Sequence, residues 1–265
     1  MEMNLLKVTA LIALIPAFLA TLRRTPQRDA VFWSALLVAV FGSLVFVFVR
    51  QSAGWHTGLS TALWLTVAAC LLLHTIISAF SADNWRLTPL LLPYLFLLGV
   101  LAIIWEQAPE QPLAGDAPLA WVGAHIVVSV TTYGLITLAA VAALAAALQE
   151  KSLKAKKRTK LSSILPSVAG SENILVRLLI SSEIVLFIGL LTGMATLYSS
   201  TGKLLIFDHK TMFSIIVLVV VGALLFAHFK SGVRGRSATR LVLLAYLMLT
   251  LGYPGVKFVT DILLG

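Results

Sequence analysis

Long, uninterrupted apolar runs constrain this chain more than any other feature of its sequence. Leu59–Leu73 and Ile215–Ala227 hold no charged residue, and similar runs recur along all 265 residues. A soluble domain carries roughly 25% charged residues, whereas this chain carries 12% and has a mean hydropathy of +0.98. A membrane-spanning helix needs about 20 mainly apolar residues. The sequence therefore predicts an all-α, polytopic membrane helical bundle, and it excludes a soluble enzyme, a fibrous chain and a disordered tail.

Eight segments are long and apolar enough to be candidate transmembrane helices. The fifth is unusually long, which indicates a tilt or an extension beyond the bilayer on one side. Arg23 and Arg24 follow the first segment instead of preceding it, so we interpret this segment as a retained helix and not as a signal peptide. The segments are approximately Leu5–Leu22, Ala30–Val49, Gly58–Phe80, Leu87–Trp105, Leu119–Leu148, Ile174–Tyr198, Thr211–Phe229 and Leu241–Leu264.

The basic residues are divided unevenly between the two alternating sets of loops. Cytoplasmic loops carry the excess of Lys and Arg, so this bias predicts that both termini lie on the outer side. An even number of helices requires both termini to be on the same side, so the helix count agrees with the charge bias. The basic set is Arg23, Arg24, Arg28, Arg86, Lys151, Lys154, Lys156, Lys157, Arg158, Lys160, Lys230, Arg234, Arg236 and Arg240, and the alternate set is Lys7, Arg50, Lys203, Lys210 and Lys257.

The net charge of +9 is explained by this orientation signal and by contact with the lipid bilayer, so we expect no nucleic acid partner. The expected location is the bacterial inner (cytoplasmic) membrane, as a multi-pass protein. We divide the chain into residues 1–150 with five helices, a basic cytoplasmic linker at 151–173, and residues 174–265 with three helices. All three parts form one integral membrane domain.

Cysteine and carboxylate usage narrows the chemistry further. Cys70 is the single cysteine, which excludes an intrachain disulfide, a cysteine-based zinc site and covalent haem attachment. Glu183 lies within the sixth segment, and an isolated carboxylate in a membrane must be protonated, paired with an arginine or close to the interface. Both a structural role and a role in proton or substrate binding are open for Glu183.

Histidines occur at two depths of the predicted bundle. His125 and His209 lie near the outer surface, whereas His228 and His74 lie near the inner one. Neutral imidazole is a good axial ligand for haem iron, although an interfacial histidine can equally bond to headgroups or backbone. Ser129 and Tyr133 follow His125 at helical spacings of four and eight, which places all three on one stripe. A polar stripe on a spanning helix should face protein or ligand.

Four stretches resemble one family of membrane proteins. His125–Gly134 looks like the fifth-helix motif of the CcsA/HemX/YpjD group, the cytochrome c assembly family. Phe207–Ile215, Ala227–Arg236 and Leu251–Phe258 resemble, in that order, the C-terminal third of its YpjD and HemX branch. The resemblance extends from about Trp55 to the end of the chain.

The resemblance implies particular roles for particular histidines. His125 resembles the family's first external histidine, His209 is placed as the second, and His228 resembles an intramembrane histidine. His74 is a candidate partner of His228 from its depth alone. The tryptophan-rich WWD segment of the full cytochrome c synthases is absent, and the outer loop Ser199–Lys210 has no tryptophan.

We therefore expect a protein that binds or handles non-covalent haem during cytochrome c-type assembly and is not an enzyme on its own. Membrane or cytochrome-assembly proteins are the expected partners, and no metal is expected apart from haem iron. Propionates could pair with Arg50, Lys203 or Lys210 outside, or with Lys230, Arg234 or Arg236 inside. The alternatives are a haem-free structural or regulatory membrane subunit, for example of haem biosynthesis, and a small-solute transporter.

Overall fold

The computed structural model describes residues 2–23, 27–52, 56–107, 111–112, 118–157, 159–233 and 235–263. This part of the chain is helical apart from two strands of two residues each, β1 (His56–Thr57) and β2 (Gln111–Pro112), which pair antiparallel. The helices are α1 (Glu2–Thr21), α2 (Ala30–Ser52), α3 (Leu59–Phe80), α4 (Thr88–Ile104), α5 (Leu119–Lys154), α6 (Lys160–Ile164), α7 (Val168–Thr201), α8 (His209–Ser231), α9 (Arg236–Thr250) and α10 (Val256–Phe258). A 3-10 turn, Asn84–Leu87, leads into α4.

Within the described residues, seven helices are long and apolar enough to cross a membrane. The apolar part of α1, Leu5–Thr21, is shorter than the others. The last of the seven runs from Arg236 to Ile262, because α9 continues through a π-helical turn, Leu251–Gly255, into α10 and a second π-helical turn. These helices confirm the predicted polytopic membrane helical bundle.

The long helix α5 lies at the centre of the bundle and packs against α3, α7 and α9. Its C-terminal half is rich in alanine, and residues such as Ala139, Ala142 and Ala145 are fully buried. Small side chains let neighbouring membrane helices approach closely. Gly134 is one such point, since a Cβ there would stand 2.7 Å from a methyl carbon of Leu73 on α3.

Both ends of the chain meet at one end of the bundle, in a group of residues that we call the terminal charge cluster: Lys7, Arg50, Glu106 and Asp261. Glu106 pairs with Lys7 and lies 3.5 Å from Arg50. The backbone N–H of Leu59, at the start of α3, donates to Asp261 at 3.1 Å. Lys7 of α1 and Asp261 of the last helix therefore lie at the same end of the bundle. That both termini lie on the outer side stays a prediction.

The stretch predicted as a linker, residues 151–173, is partly helical. Helix α5 continues to Lys154, α6 begins after a capping box at Thr159, and α7 starts at Val168. Lys, Glu and Ser continue a helix readily in water beyond the bilayer, so hydropathy alone ends these helices too early. The side chain of Gln149 donates to the carbonyl oxygens of Ser162, Leu165 and Pro166, which fixes this stretch against the end of α5.

Candidate functional site

His125 lies in the second turn of α5 and contacts α7. Its Nδ1 is 3.2 Å from the hydroxyl oxygen of Thr192, and the half-buried imidazole ring lies over Gly193. A Cβ at position 193 would stand 3.0 Å from the ring carbon Cε1, which is closer than ordinary van der Waals contact. The absence of a side chain at Gly193 therefore makes the space that the ring occupies.

The hydroxyl of Thr192 determines which nitrogen of His125 carries the proton. Its proton is within reach of the carbonyl oxygen of Gly189, 3.0 Å away in the same helix, and in that arrangement the hydroxyl accepts from His125. The Nδ1–H of His125 is then the donor, and in this neutral tautomer Nε2 carries the lone pair. A histidine that ligates a metal usually donates its other ring N–H to a neighbouring acceptor in this way.

The polar stripe that begins at His125 faces the interior of the bundle at Tyr133, as the sequence predicts. Tyr133 is 4% exposed, and its hydroxyl lies 3.0 Å from that of Thr250 on α9. Its ring stacks on Tyr246 with centroids 6.0 Å apart and also contacts Tyr253. Tyr246 in turn is hydrogen-bonded through its hydroxyl to Tyr94 of α4.

Sequence reasoning missed this tyrosine cluster, which joins α4, α5 and the last helix. The hydroxyls of Tyr94 and Tyr246 come from positions 152 residues apart. The tyrosines are on helices that are far apart in the sequence. Only the tertiary packing of the three helices brings them together. A buried tyrosine hydroxyl normally finds a partner, but periodicity does not identify which one.

His228, in the last turn of α8, has the same protonation pattern as His125. Its Nδ1 lies 3.1 Å from the carbonyl oxygen of Val233. A carbonyl can only accept, so Nδ1 donates and Nε2 keeps the lone pair. The ring also makes an edge contact with Phe229, with centroids 5.3 Å apart. Two of the four predicted site histidines therefore present Nε2 as the unprotonated nitrogen.

A narrow cavity opens beside His228, between α5, α7, α8 and α9. It encloses about 20 Å³, which is room for about one water molecule and far too little for a porphyrin ring. Glu172 borders it and accepts a hydrogen bond from the backbone N–H of Gly235 at 3.2 Å, just before α9. Six of its lining residues are Ala146, Glu172, Leu175, Leu179, His228 and Thr239.

His74 is fully buried in α3, and hydrogen bonds use both of its ring nitrogens. Nε2 lies 2.9 Å from the hydroxyl of Thr88, which itself donates to the carbonyl of Trp85. The amide of Asn84 donates to Nδ1 at 3.2 Å. These bonds hold the turn before α4 against α3. The described side-chain hydrogen bonds of His74 are with this turn and with α4, whereas His228 borders a cavity between other helices.

His209 is the first residue of α8 and is exposed. Asp208 caps the helix by accepting from the backbone N–H of Thr211 at 2.8 Å. Among the described contacts none joins His209 to His125, whose hydrogen bond to Thr192 is with α7. The two predicted histidine pairs thus stay predictions.

The residues proposed to receive haem propionates are in different situations. Arg50 donates to the Thr61 hydroxyl at 2.9 Å and pairs with Glu106. Lys203 is exposed, and the ammonium group of Lys230 lies 5.3 Å above the ring of Phe226. Arg234 lies outside the described residues, as does the side chain of Lys210.

Two comparisons with known proteins complete the description of the site. The model of a protein family described as "Cytochrome C assembly protein" matches residues 3–264. The chain is also 53% identical over 263 residues to a protein of Azospirillum brasilense, described as an uncharacterized 28.8 kDa protein in the nifR3-like 5′ region. That alignment covers 97% of this chain and 97% of its relative.

Proposed function

The chain belongs to the cytochrome c assembly protein family, which supports a role in cytochrome c biogenesis, and we propose that it handles haem in the membrane through His125 and His228. The observation that carries the proposal is the shared state of these two imidazoles. Each donates its Nδ1–H to a fixed acceptor of the protein, Thr192 or the Val233 carbonyl. With Nδ1 as the donor, Nε2 is the ring nitrogen whose chemistry suits a metal.

A bound haem would supply an iron that the Nε2 atoms of His125 and His228 could ligate. The donor atoms fit this group, since each imidazole is oriented by a hydrogen bond at Nδ1. The enclosed volume beside His228, about 20 Å³, would not hold the porphyrin ring, so a haem ligated by His228 would have to lie outside this cavity.

The two histidines belong to separate haem sites. The cavity beside His228 is lined by Ala146, which follows His125 by 21 residues on the same helix, α5 (146 − 125 = 21). At about 1.5 Å of rise per residue, these positions are about 30 Å apart along the helix. One iron cannot be ligated by both residues, so we propose an outer site at His125 and an inner site at His228.

His74 and His209 have smaller parts in this proposal. The ring nitrogens of His74 are engaged with Asn84 and Thr88, so the inner site uses His228 without it. His209 is exposed near the start of α8 and is the candidate second ligand of the outer site. We further propose that the chain resides in a bacterial cytoplasmic membrane, because its A. brasilense relative is bacterial, and that it passes haem to a membrane or cytochrome-assembly partner.

Visible absorption of the purified protein after haem feeding tests the proposal. We expect a Soret band that weakens in His125→Ala and in His228→Ala and is lost when both are changed. Added imidazole should restore a vacated axial position. His209→Ala reports whether that residue is the second outer ligand. A colourless wild-type protein, or an unchanged band and stoichiometry in the double variant, would contradict haem ligation by these residues and support the haem-free alternative.

A further inference from the structure

Glu183 lies inside a membrane-spanning segment, far from both ends of α7. It follows Val168 by 15 residues (183 − 168) and precedes Thr201 by 18 (201 − 183). At about 1.5 Å of rise per residue, more than about 20 Å of helix separates it from either end. A long, flexible side chain near an interface can reach water, but a glutamate at this depth cannot.

Gly222 of α8 forms a notch for this carboxyl group. Were a Cβ present at position 222, the oxygen Oε1 of Glu183 would stand 3.0 Å from it. A side chain there would require the carboxyl group to shift by a few tenths of an ångström. Glycine thus gives the carboxyl room to lie close to the α8 backbone, and Gly222 itself lies within the apolar span Thr211–Ser231.

The second oxygen, Oε2, is buried and has no hydrogen-bond partner among the described residues. The charged or titratable groups on the neighbouring helices are distant along their axes. Arg177 is six residues earlier on α7, and His228 and Lys230 are six and eight residues after Gly222, toward the inner end of α8. Helix α5 carries no charged residue between His125 and Glu150.

An ionised carboxylate is strongly disfavoured in hydrocarbon when one of its oxygens is buried without a hydrogen bond, as Oε2 is here, and such a group becomes neutral by taking up a proton. We propose that Glu183 and the Gly222 notch form a proton-binding site in the membrane interior. One proton is held on the carboxyl group while α7 and α8 are in contact. It leaves when water or a base reaches the carboxyl.

The proton exchanges with the inner side of the membrane. The cavity beside His228 reaches Leu179, which precedes Glu183 by four residues, or about one helical turn. It has room for about one water molecule, so a small opening between α7 and α8 is enough to extend it to the carboxyl. This site uses neither Nε2 of His125 nor that of His228, and it stands independently of haem binding.

Reaction with carbodiimides in native membranes tests the site, because these reagents add to a protonated carboxylic acid. We expect the hydrophobic dicyclohexylcarbodiimide to modify Glu183, as detected by peptide mass spectrometry. A water-soluble carbodiimide should leave it unmodified. Above the titration midpoint the adduct should fall roughly tenfold for each pH unit. The matched control is Glu106, a carboxylate of similar burial that is paired with Lys7 and Arg50 and should remain unmodified by the hydrophobic reagent.

Infrared spectroscopy gives a second measurement that does not depend on reagent access. The wild-type protein should show the carbonyl stretch of a protonated carboxylic acid, and Glu183→Gln should lack it. Gly222→Ala should shift that band, because the added Cβ displaces Oε1. The proposal is overturned if the band is the same in Glu183→Gln, or if the water-soluble reagent modifies Glu183 as readily as the hydrophobic one. The Soret band of Glu183→Gln should equal that of the wild type, so the outcome is separable from haem ligation.

Discussion

Replacing Thr192 with valine tests whether the orientation of His125 matters for its role. Valine keeps the shape of threonine but removes the hydroxyl that accepts the Nδ1–H of His125. The loss of one such hydrogen bond costs about 1 kcal/mol. When a residue that hydrogen-bonds to a metal-ligating side chain is mutated, the affinity for the metal usually falls about 10–100-fold. This change corresponds to about 1.4–2.7 kcal/mol. We expect the outer haem site of Thr192→Val to weaken within that range.

Haem titration of the purified variant, followed at the Soret band, measures the change. His228→Ala serves as the background, so that only the outer site contributes. The control is Thr196→Val, one turn further along α7. The Thr196 hydroxyl donates to the carbonyl of Thr192 at 2.8 Å and does not contact His125 in the described structure. Thr196→Val should therefore bind haem as the background protein does.

A double-mutant cycle separates this effect from a general change in the helix. In a His125→Ala background, Thr192→Val should have no further effect on haem binding, since the residue that it orients is gone. Equal losses with and without His125 would refute the reasoning. So would a Thr192→Val protein that binds haem as tightly as its parent.

Three further outcomes are expected. His74→Ala should lower thermal stability while leaving the haem spectrum unchanged, because its two ring bonds hold α3 to the turn before α4; a lost Soret band with unchanged stability would contradict this. Tyr133→Phe removes the hydroxyl that bonds to Thr250 and should cost about 1 kcal/mol of unfolding free energy, measured by denaturation in detergent against the wild type. A phosphatase fused after Asp261 should be active outside the cytoplasm and one inserted near Lys157 should not, the reverse pattern being inconsistent with the predicted orientation.

The positions of the helices could be predicted from the sequence because a bilayer requires long apolar segments whose backbone groups bond internally. The C-terminal end of α5 and the start of α7 could not be predicted from hydropathy. Polar residues such as Lys151 and Glu172 continue these helices into water beyond the apolar segments. For the site, the stripe of His125 and Tyr133 followed from helical spacing alone. The hydrogen-bond partner of the His125 imidazole did not, because Thr192 belongs to a different helix.

The same distinction applies to Glu183 and His74. Sequence identified Glu183 as unusual because ionisable residues are rare in membrane helices. Its notch depends on the rotation of α8, which places Gly222 opposite the carboxyl, and weak amphipathicity in a membrane helix does not define that rotation. His74 was predicted as a haem ligand only from its depth in the membrane. Its hydrogen bonds to Asn84 and Thr88 depend on the turn before α4, which the sequence pattern does not define.

The terminal charge cluster has a consequence for how the protein is made. The backbone N–H of Leu59 donates to Asp261, which is 202 residues later in the chain. Until the ribosome has delivered that residue, the start of α3 lacks this acceptor, and the cluster with Glu106 is incomplete. Insertion of the early helices is therefore finished only when the last helix docks beside them. In a chain that stalls during synthesis before Asp261, the N–H of Leu59 bonds to water instead, and the start of α3 is not yet joined to the last helix.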